Sequence, residues 1–188
     1  MSQIFLFRHG QTTYNRDKIF TGWSDPPLTD LGIEQAEFLA SLLKKTKIDI
    51  AYQSSLLRSR HTLEIVLKNH PECQQIITDD RIRERNYGDL NTHSHQSIIN
   101  KHGQTQFDTW HRSFHNPPPN GESFANVEDR VGEFIIDLKK LYSGKDLNIA
   151  ISAHGNSIRL FRKIMENSTE EETSSWTIPY DQIFEYKI

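Results

Sequence analysis

Cysteine, long apolar runs and an excess of one charge are all scarce in this chain of 188 residues. The single cysteine, Cys73, excludes an intramolecular disulfide and any zinc site built on several cysteines. No apolar run has the length that a bilayer-spanning helix needs, and the first seven residues are too short and too uncharged for a signal peptide. Lys and Arg number 22 against 25 Asp and Glu, so the net charge of −3 does not indicate a nucleic-acid-binding surface. We therefore expect a cytoplasmic protein with neither a membrane nor a nucleic-acid partner.

Short apolar segments alternate with amphipathic segments along the chain. Strands are predicted at residues 4–7, 48–52, 75–78, 147–152 and 183–186. Helices are predicted from Thr29 to about Lys45, from Ser54 or Ser55, from an Asn126 cap to Leu141, after His154, and from a capping box at residues 168–171. Leu141 is expected on the apolar, buried face of its helix. The length suits one domain, residues 1–188. The alternation predicts the α/β class: a three-layer α/β/α sandwich with a mostly parallel central sheet.

The region from about residue 83 to residue 123 shows neither helical nor strand periodicity. Three successive prolines, Pro117 to Pro119, followed by Asn120 and Gly121, exclude a helix near its end. We therefore predict an irregular segment at about residues 89–123.

Two of the predicted strands end in a histidine that precedes a glycine. The first strand runs into Arg8-His9-Gly10, and the strand at 147–152 runs into Ala153-His154-Gly155. Ligands of parallel α/β sheets bind beyond the carboxyl ends of the strands, so neighbouring strands would bring both imidazoles into one crevice. Arg58 follows another strand and could reach the same place. Because guanidinium groups pair with phosphate oxygens through two hydrogen bonds, this combination indicates a phosphate ester as ligand.

Motifs in a fixed order over nearly the whole chain resemble those of the histidine phosphatase superfamily. The sequence LFRHGQT at 6–12 is similar to the signature of that superfamily. Similarity to its cofactor-dependent phosphoglycerate mutase branch rests on FTGWSDPPLT at 20–29, SSLLRSRHT at 54–62, ERNYG at 84–88, WHRSF at 110–114 and AHGNSIR at 153–159. In that family the 110–114 motif belongs to a lid, which corresponds here to the segment predicted as irregular.

The resemblance implies a set of roles for the residues that match these motifs. His9 is the expected nucleophile, Glu84 the general acid and base, and Arg8, Arg58 and His154 the ligands of the phosphoryl group. The expected substrate-binding residues are Asn15, Thr21, Gly22, Tyr87, His95, His111, Arg112, Gly155 and Asn156. Phosphoryl transfer depends mainly on positioning and charge stabilisation, which arginine and histidine can supply without a metal. No metal is therefore expected.

The mutase branch interconverts 3-phosphoglycerate and 2-phosphoglycerate, a step of glycolysis and gluconeogenesis, through a phosphohistidine. The resemblance therefore implies a small phosphorylated carboxylate as substrate and 2,3-bisphosphoglycerate as the cofactor that donates the priming phosphoryl group. It also allows a homo-oligomer, as is common in the family.

The chain departs from the mutase pattern in ways that favour a phosphomonoesterase as the alternative. His95 stands where a lysine is usual, His111 where an arginine is usual, and Thr92 where a glycine is common. The sequence also ends at Ile188, soon after the last strand, and a shorter tail would admit water to the phosphoenzyme. Two histidines in place of permanent cations predict a substrate affinity that changes near pH 6.5.

A metal-binding or regulatory module is the second alternative. The region between His93 and His115 contains the pairs His93-x-His95 and His111-x3-His115, and the second spacing can place two rings on one helical face. No cysteine or evident carboxylate completes a metal site there, so we favour a polar lid.

Overall fold

The structure is a computed structural model that describes residues 1–188, and its centre is one five-stranded sheet. The strands are β1 (Gln3–Arg8), β2 (Ile50–Gln53), β3 (Gln75–Thr78), β4 (Asn148–Ala153) and β5 (Ile183–Lys187). Their order across the sheet is β3-β2-β4-β1-β5. All neighbours are parallel except β5, which runs antiparallel to β1. The predicted mostly parallel sheet is confirmed.

Helices cover both faces of this sheet. They are α1 (Thr13–Arg16), α2 (Asp30–Leu43), α3 (Leu57–Leu67), α4 (His95–His102), α5 (Gln104–Arg112), α6 (Phe124–Tyr142), α7 (Gly155–Glu166) and α8 (Glu170–Ser175). None of them combines the length and the apolar character that crossing a membrane requires.

The side chains of β1 alternate between the two faces, as the pleat of a strand requires. Ile4 and Leu6 lie in a core with residues of α6 and α7. Phe5 and Phe7 lie in a second core with residues of α2 and α3. The predicted three-layer α/β/α sandwich is therefore confirmed, and the continuous apolar run at 4–7 exists because both faces of this strand are covered.

Several helix ends differ from the sequence prediction by a few residues. Helix α6 is capped by Ser123, and Asn126 is the third helical residue of that capping box. The box before α8 pairs Thr169 with Glu172 instead of residues 168 and 171. In both cases another residue of a type that caps helices lies close to the true N-cap. The sequence alone therefore does not show which of the two residues caps the helix.

Two further predictions about helices need correction. Helix α3 begins only at Leu57, without a side-chain cap, because Ser54 and Ser55 contact other parts of the chain. Leu141, predicted to lie on the buried face of α6, is exposed, and Tyr142 is buried in its place.

The segment predicted to be irregular, residues 89–123, contains the two helices α4 and α5. Ser94 caps α4, and Gly103, at φ +82°, separates the two helices. Each helix buries a single apolar residue, Ile98 or Phe107, in a small core with Phe20. So few buried positions produce little periodicity in the sequence, which explains why the helices were missed.

A matched pair of phenylalanine truncations tests this assignment of the core. Phe134 of α6 is 1% exposed and packs edge-to-face on Tyr52, with ring centroids 5.3 Å apart, whereas Phe38 of α2 is 48% exposed. We expect Phe134→Ala to lower the free energy of unfolding by about 3–5 kcal/mol. We expect Phe38→Ala to change it by no more than about 0.5 kcal/mol. Urea denaturation measures both, and equal losses would contradict the assignment.

Candidate active site

The carboxyl ends of β1 and β4 lie side by side, as the sequence predicted. Arg8 is in register with Ala153, and the next backbone N–H, that of His9, donates to the Ala153 carbonyl at 3.0 Å. The rings of His9 and His154 therefore lie close together, with centroids 5.0 Å apart and planes tilted by 56°. Both imidazoles are buried at the edge of the sheet where ligands of this architecture bind.

His9 presents one unprotonated ring nitrogen to the site. Its Nδ1 lies 2.7 Å from the carbonyl oxygen of Gly10, which can only accept, so Nδ1 carries the proton. Nε2 is thereby left with its lone pair and accepts a hydrogen bond from Nε of Arg58 at 3.2 Å. Burial, followed by the charges of Arg58 and Arg8, holds the pKa of His9 well below its usual value. A neutral imidazole in this orientation can act as a nucleophile.

Gly10 allows the chain to turn immediately after His9. A side chain at this position would collide with the backbone carbonyl of Gly32 in α2. The N–H of Gly10 also donates to Oγ1 of Thr62 in α3, at 3.0 Å. The histidine is thus fixed by contacts to helices on the α2–α3 face of the sheet.

His154 lies behind His9 and is completely buried. Its Nε2 is 2.7 Å from Oγ of Ser54, and its Nδ1 is buried without any hydrogen-bond partner. Burial, and then the charges of Arg58 and His9, lower its pKa well below the usual value. An unpaired buried polar atom is costly, so Nδ1 is a ready partner for an oxygen atom that approaches it.

Arg58 is held by the loop that follows α1. Its two terminal nitrogens donate to the carbonyls of Gly22 and Ser24, each at 2.8 Å. Gly22 has φ +48°, a left-handed conformation that favours glycine. Burial lowers the pKa of Arg58 to about 10, so the side chain is still charged at neutral pH.

Arg8 is the second guanidinium beside the histidines. Its Nη1 donates to the carbonyl of Ile178 at 2.7 Å, and the group stacks over Tyr180 at 4.0 Å from the ring centre. Its Nε is buried and has no partner. The segment before β5 therefore orients this arginine and leaves one donor free.

Glu84 is the carboxylate of the site. Its Oε1 accepts hydrogen bonds from the N–H groups of Arg85 at 2.7 Å and Asn156 at 3.2 Å. Its backbone carbonyl accepts from Nε1 of Trp23 at 2.8 Å and from Arg130 at 3.1 Å. Glu84 is thus fixed from both sides while its second oxygen remains available.

One set of three potential metal ligands has its nitrogen and oxygen atoms within 4.8 Å of one another. It consists of His9, Glu84 and His154. Such a set can bind a transition metal. Two guanidinium groups adjoin it, however, and their charge favours an anion in the same volume. The expectation of a metal-free site stays a prediction.

A cavity of about 250 Å³ opens beside these groups. Every predicted site residue lines it except His154, which lies behind His9. The lining also includes residues that the sequence reasoning did not assign: Tyr14, Lys18, Ile19, Phe20, Arg159, Thr177, Ile178 and Tyr180. Arg159 ends the motif that begins at Ala153, and Lys18 lies three residues after Asn15, so both were within reach of the sequence.

His95 and His111 form an aromatic wall of the cavity together with Phe20. Their rings are 5.3 Å apart and pack against Phe20 at 4.4 Å and 5.6 Å. Burial and then Arg112 lower the pKa of His111 to about 3. Burial, followed by Lys18 and Arg112, also lowers the pKa of His95. The prediction of a charge change near pH 6.5 is therefore wrong for His111, whose ring is already neutral there. For His95 the pKa is lowered in the same direction.

The histidines between residues 93 and 115 do not form the metal site that was considered as an alternative. His93 contacts the carbonyl of Asn91, and His115 pairs with Glu170 at 2.9 Å. His95 and His111 meet at the cavity, but no third metal-binding side chain joins them. The two predicted pairs are thus divided among different contacts.

Comparison with known proteins agrees with this geometry. The sequence model of the histidine phosphatase superfamily (branch 1) matches residues 4–186. A 2,3-bisphosphoglycerate-dependent phosphoglycerate mutase of Rhizobium etli (strain CIAT 652) is 37% identical over 174 residues, covering 89% of this chain and 81% of that protein. A protein of the same name from Methylorubrum extorquens (strain PA1) is 35% identical over 180 residues, covering 93% and 84%.

A solved structure of similar fold carries the name of a phosphatase. The alpha-ribazole phosphatase from Shigella flexneri superposes with a TM-score of 0.85 at 28% identity, covering 99% of this chain and 90% of that one. Two of these relatives are named as mutases and one as a phosphatase. The family match itself spans almost the whole chain. The chain therefore belongs to the histidine phosphatase superfamily, branch 1.

Proposed function

We propose that this enzyme transfers a phosphoryl group through a covalent intermediate on Nε2 of His9. The lone pair of Nε2 attacks phosphorus, the bond from phosphorus to the ester oxygen breaks, and the leaving oxygen takes a proton from Glu84. In the second half the Glu84 carboxylate accepts the proton of an incoming hydroxyl, whose oxygen attacks phosphorus and breaks the N–P bond. Both halves conserve charge and protons.

The groups around His9 suit the oxygens of the transferring phosphoryl group. Arg58 lies on one side of Nε2 of His9. Nε of Arg8 and Nδ1 of His154 have no hydrogen-bond partner within the protein and can bind phosphoryl oxygens. Fixed donors cost no reorganisation when negative charge develops, which is the main source of catalysis in phosphoryl transfer.

We further propose that the physiological reaction is the interconversion of 3-phosphoglycerate and 2-phosphoglycerate. The observation that carries this proposal is a second group of cations in the same cavity. Arg159 is buried there with an unpaired Nε, and Arg112 lies at the rim. Burial lowers the pKa of Arg159 to about 10, which leaves it charged at neutral pH. A phosphoglycerate carries a carboxylate besides its phosphate and can use both groups, whereas a simple monoester needs only one.

The same two groups of cations fit 2,3-bisphosphoglycerate as the proposed cofactor. Arg8, Arg58 and His154 would hold one phosphate, and Arg112 and Arg159 would hold the other anionic groups. When bound, this cofactor supplies the phosphoryl group that charges His9. The names of the Rhizobium and Methylorubrum relatives support the assignment.

A phosphomonoesterase is the second candidate, and one observation favours it. The cavity wall formed by Phe20, His95 and His111 is aromatic, so it also suits an ester with a flat apolar alcohol. The similarity to the Shigella flexneri phosphatase points the same way. In that case water takes the place of the second hydroxyl, with the same use of His9 and Glu84.

The covalent step predicts a labelled protein. Incubation with radiolabelled 2,3-bisphosphoglycerate is expected to give a phosphoprotein that is labile to acid and stable to base. His9→Ala should abolish the label, whereas His102→Ala, in the exposed end of α4, should retain it. Glu84→Gln should lower kcat by about 10²- to 10⁴-fold because the leaving oxygen lacks its proton donor. A label that persists in His9→Ala rules out His9 as the nucleophile.

Product analysis separates the two candidate functions. We expect conversion of 3-phosphoglycerate to 2-phosphoglycerate that depends on added 2,3-bisphosphoglycerate, with slow release of inorganic phosphate. A parallel assay with p-nitrophenyl phosphate measures transfer to water. Rapid hydrolysis of the aryl ester without any isomerisation would assign the enzyme to the phosphomonoesterases.

Because His111 is neutral, its replacement should change KM for 3-phosphoglycerate by the same factor at every pH from 6 to 8.5. Its pKa of about 3 leaves the ring uncharged from pH 6 to 8.5. The ratio of KM for 3-phosphoglycerate between His111→Gln and the unaltered enzyme should therefore stay constant over this range. Titration of the substrate phosphate affects both enzymes equally and cancels in the ratio. A change in the ratio around pH 6.5 would show that the ring titrates there after all.

A further inference from the structure

Lys18 lies at the rim of the cavity, in the turn that follows α1. We propose that its ammonium group binds the second anionic group of the substrate, the carboxylate of a phosphoglycerate, and so determines specificity for such substrates. This inference rests on the proposed mutase function and extends it to a residue that neither the motifs nor the roles inferred from them include.

Lys18 has no acidic partner and is the only lysine that lines the cavity. Of the ten other lysines, two form ion pairs: Lys47 with Asp49 at 2.5 Å, and Lys163 with Glu128 at 2.6 Å. Lys18 takes part in none of the ion pairs and its side chain donates no hydrogen bond. Glu84 is the only carboxylate among the lining residues, and backbone N–H groups already engage it. An anionic ligand is therefore the natural partner for this ammonium group.

Lys18 lies next to the aromatic wall of the cavity. Its carbonyl accepts a hydrogen bond from the N–H of His95 at 2.9 Å, so the two residues lie on adjacent backbone segments at the same rim. Its charge, together with that of Arg112, contributes to the lowered pKa of His95 after burial. Lys18 thus places an ammonium group beside two imidazoles whose pKa values are lowered.

The backbone conformation of Lys18 is unusual for a lysine. Its φ is +52°, in the left-handed region. That conformation costs an ordinary residue roughly 1–2 kcal/mol and is tolerated best by glycine and asparagine. Two of the other three non-glycine residues with positive φ are indeed asparagines, Asn120 and Asn167. A lysine kept in this conformation at a cavity rim points to a use for its side chain.

A purely structural role for Lys18 makes a different prediction. The hydrogen bond to His95 uses the backbone carbonyl and does not depend on the side chain. Lys18→Asn keeps that carbonyl and introduces asparagine, which adopts a positive φ more readily than lysine. A structural role therefore predicts no loss of stability and no change in ligand discrimination in this variant.

The test compares two ligands that differ in one charged group. Isothermal titration calorimetry gives Kd for 3-phosphoglycerate and for glycerol 3-phosphate, which lacks the carboxylate. For Lys18→Asn we expect Kd for 3-phosphoglycerate to rise about tenfold, as for a lost charged hydrogen bond. Kd for glycerol 3-phosphate should change less than about twofold, because its phosphate contacts Arg8 and Arg58 instead.

Two further variants serve as controls. Lys18→Arg keeps the charge and should retain the discrimination between the two ligands. Lys45→Asn removes an exposed lysine just beyond α2, outside the cavity lining, and should leave both Kd values unchanged. Urea denaturation of each variant shows whether the fold is intact.

The outcomes separate this inference from the proposed function. If Lys18→Asn weakens both ligands equally, or neither, the assignment of Lys18 to the second anion is wrong even when isomerisation is observed. If the discrimination is lost as expected but the unaltered enzyme does not isomerise phosphoglycerate, the second-anion site stands and the mutase assignment fails.

Discussion

The site depends on the parallel pairing of β1 with β4. The hydrogen bond from His9 to the carbonyl of Ala153 ends both strands at the same level and brings two imidazoles from opposite halves of the chain together. A parallel pair needs a long crossover, and here it contains most of the protein: β2, β3 and six of the eight α-helices lie between these strands. The residues that surround His9 are supplied by this crossover, among them Arg58 and Glu84.

Charge gives the cavity its chemical character. Its lining contains cations and a single carboxylate, while the pKa values of His9 and His111 fall because burial and neighbouring arginines oppose further positive charge. The same positive charges keep His9 unprotonated, and Nε of Arg8 and Nε of Arg159 are buried without a hydrogen-bond partner. A phosphorylated anion relieves both conditions at once, since it pairs with the donors and offsets the accumulated charge.

Much of the fold could be predicted from the sequence because it rests on local periodicity. The apolar runs that became β1 and β4, and the histidine at the end of each, were sufficient to place the site at the sheet edge. Helices α4 and α5 were missed because each buries one apolar side chain. The charge state of His111 could not be predicted for another reason: its pKa depends on burial against Phe20, which is distant in the sequence. Arg159 and Lys18 lie in or near the matched motifs, but only the structure shows that both line one cavity.

Trp23 joins two parts of the site that the mechanism treats separately. Its indole N–H holds the backbone of Glu84, its ring lies under the guanidinium of Arg83 at 3.5 Å, and the carbonyls of its two neighbours hold Arg58. The positions of Glu84 and Arg58 are thus coupled through a single loop. A displacement of that loop would change the contacts of both residues together.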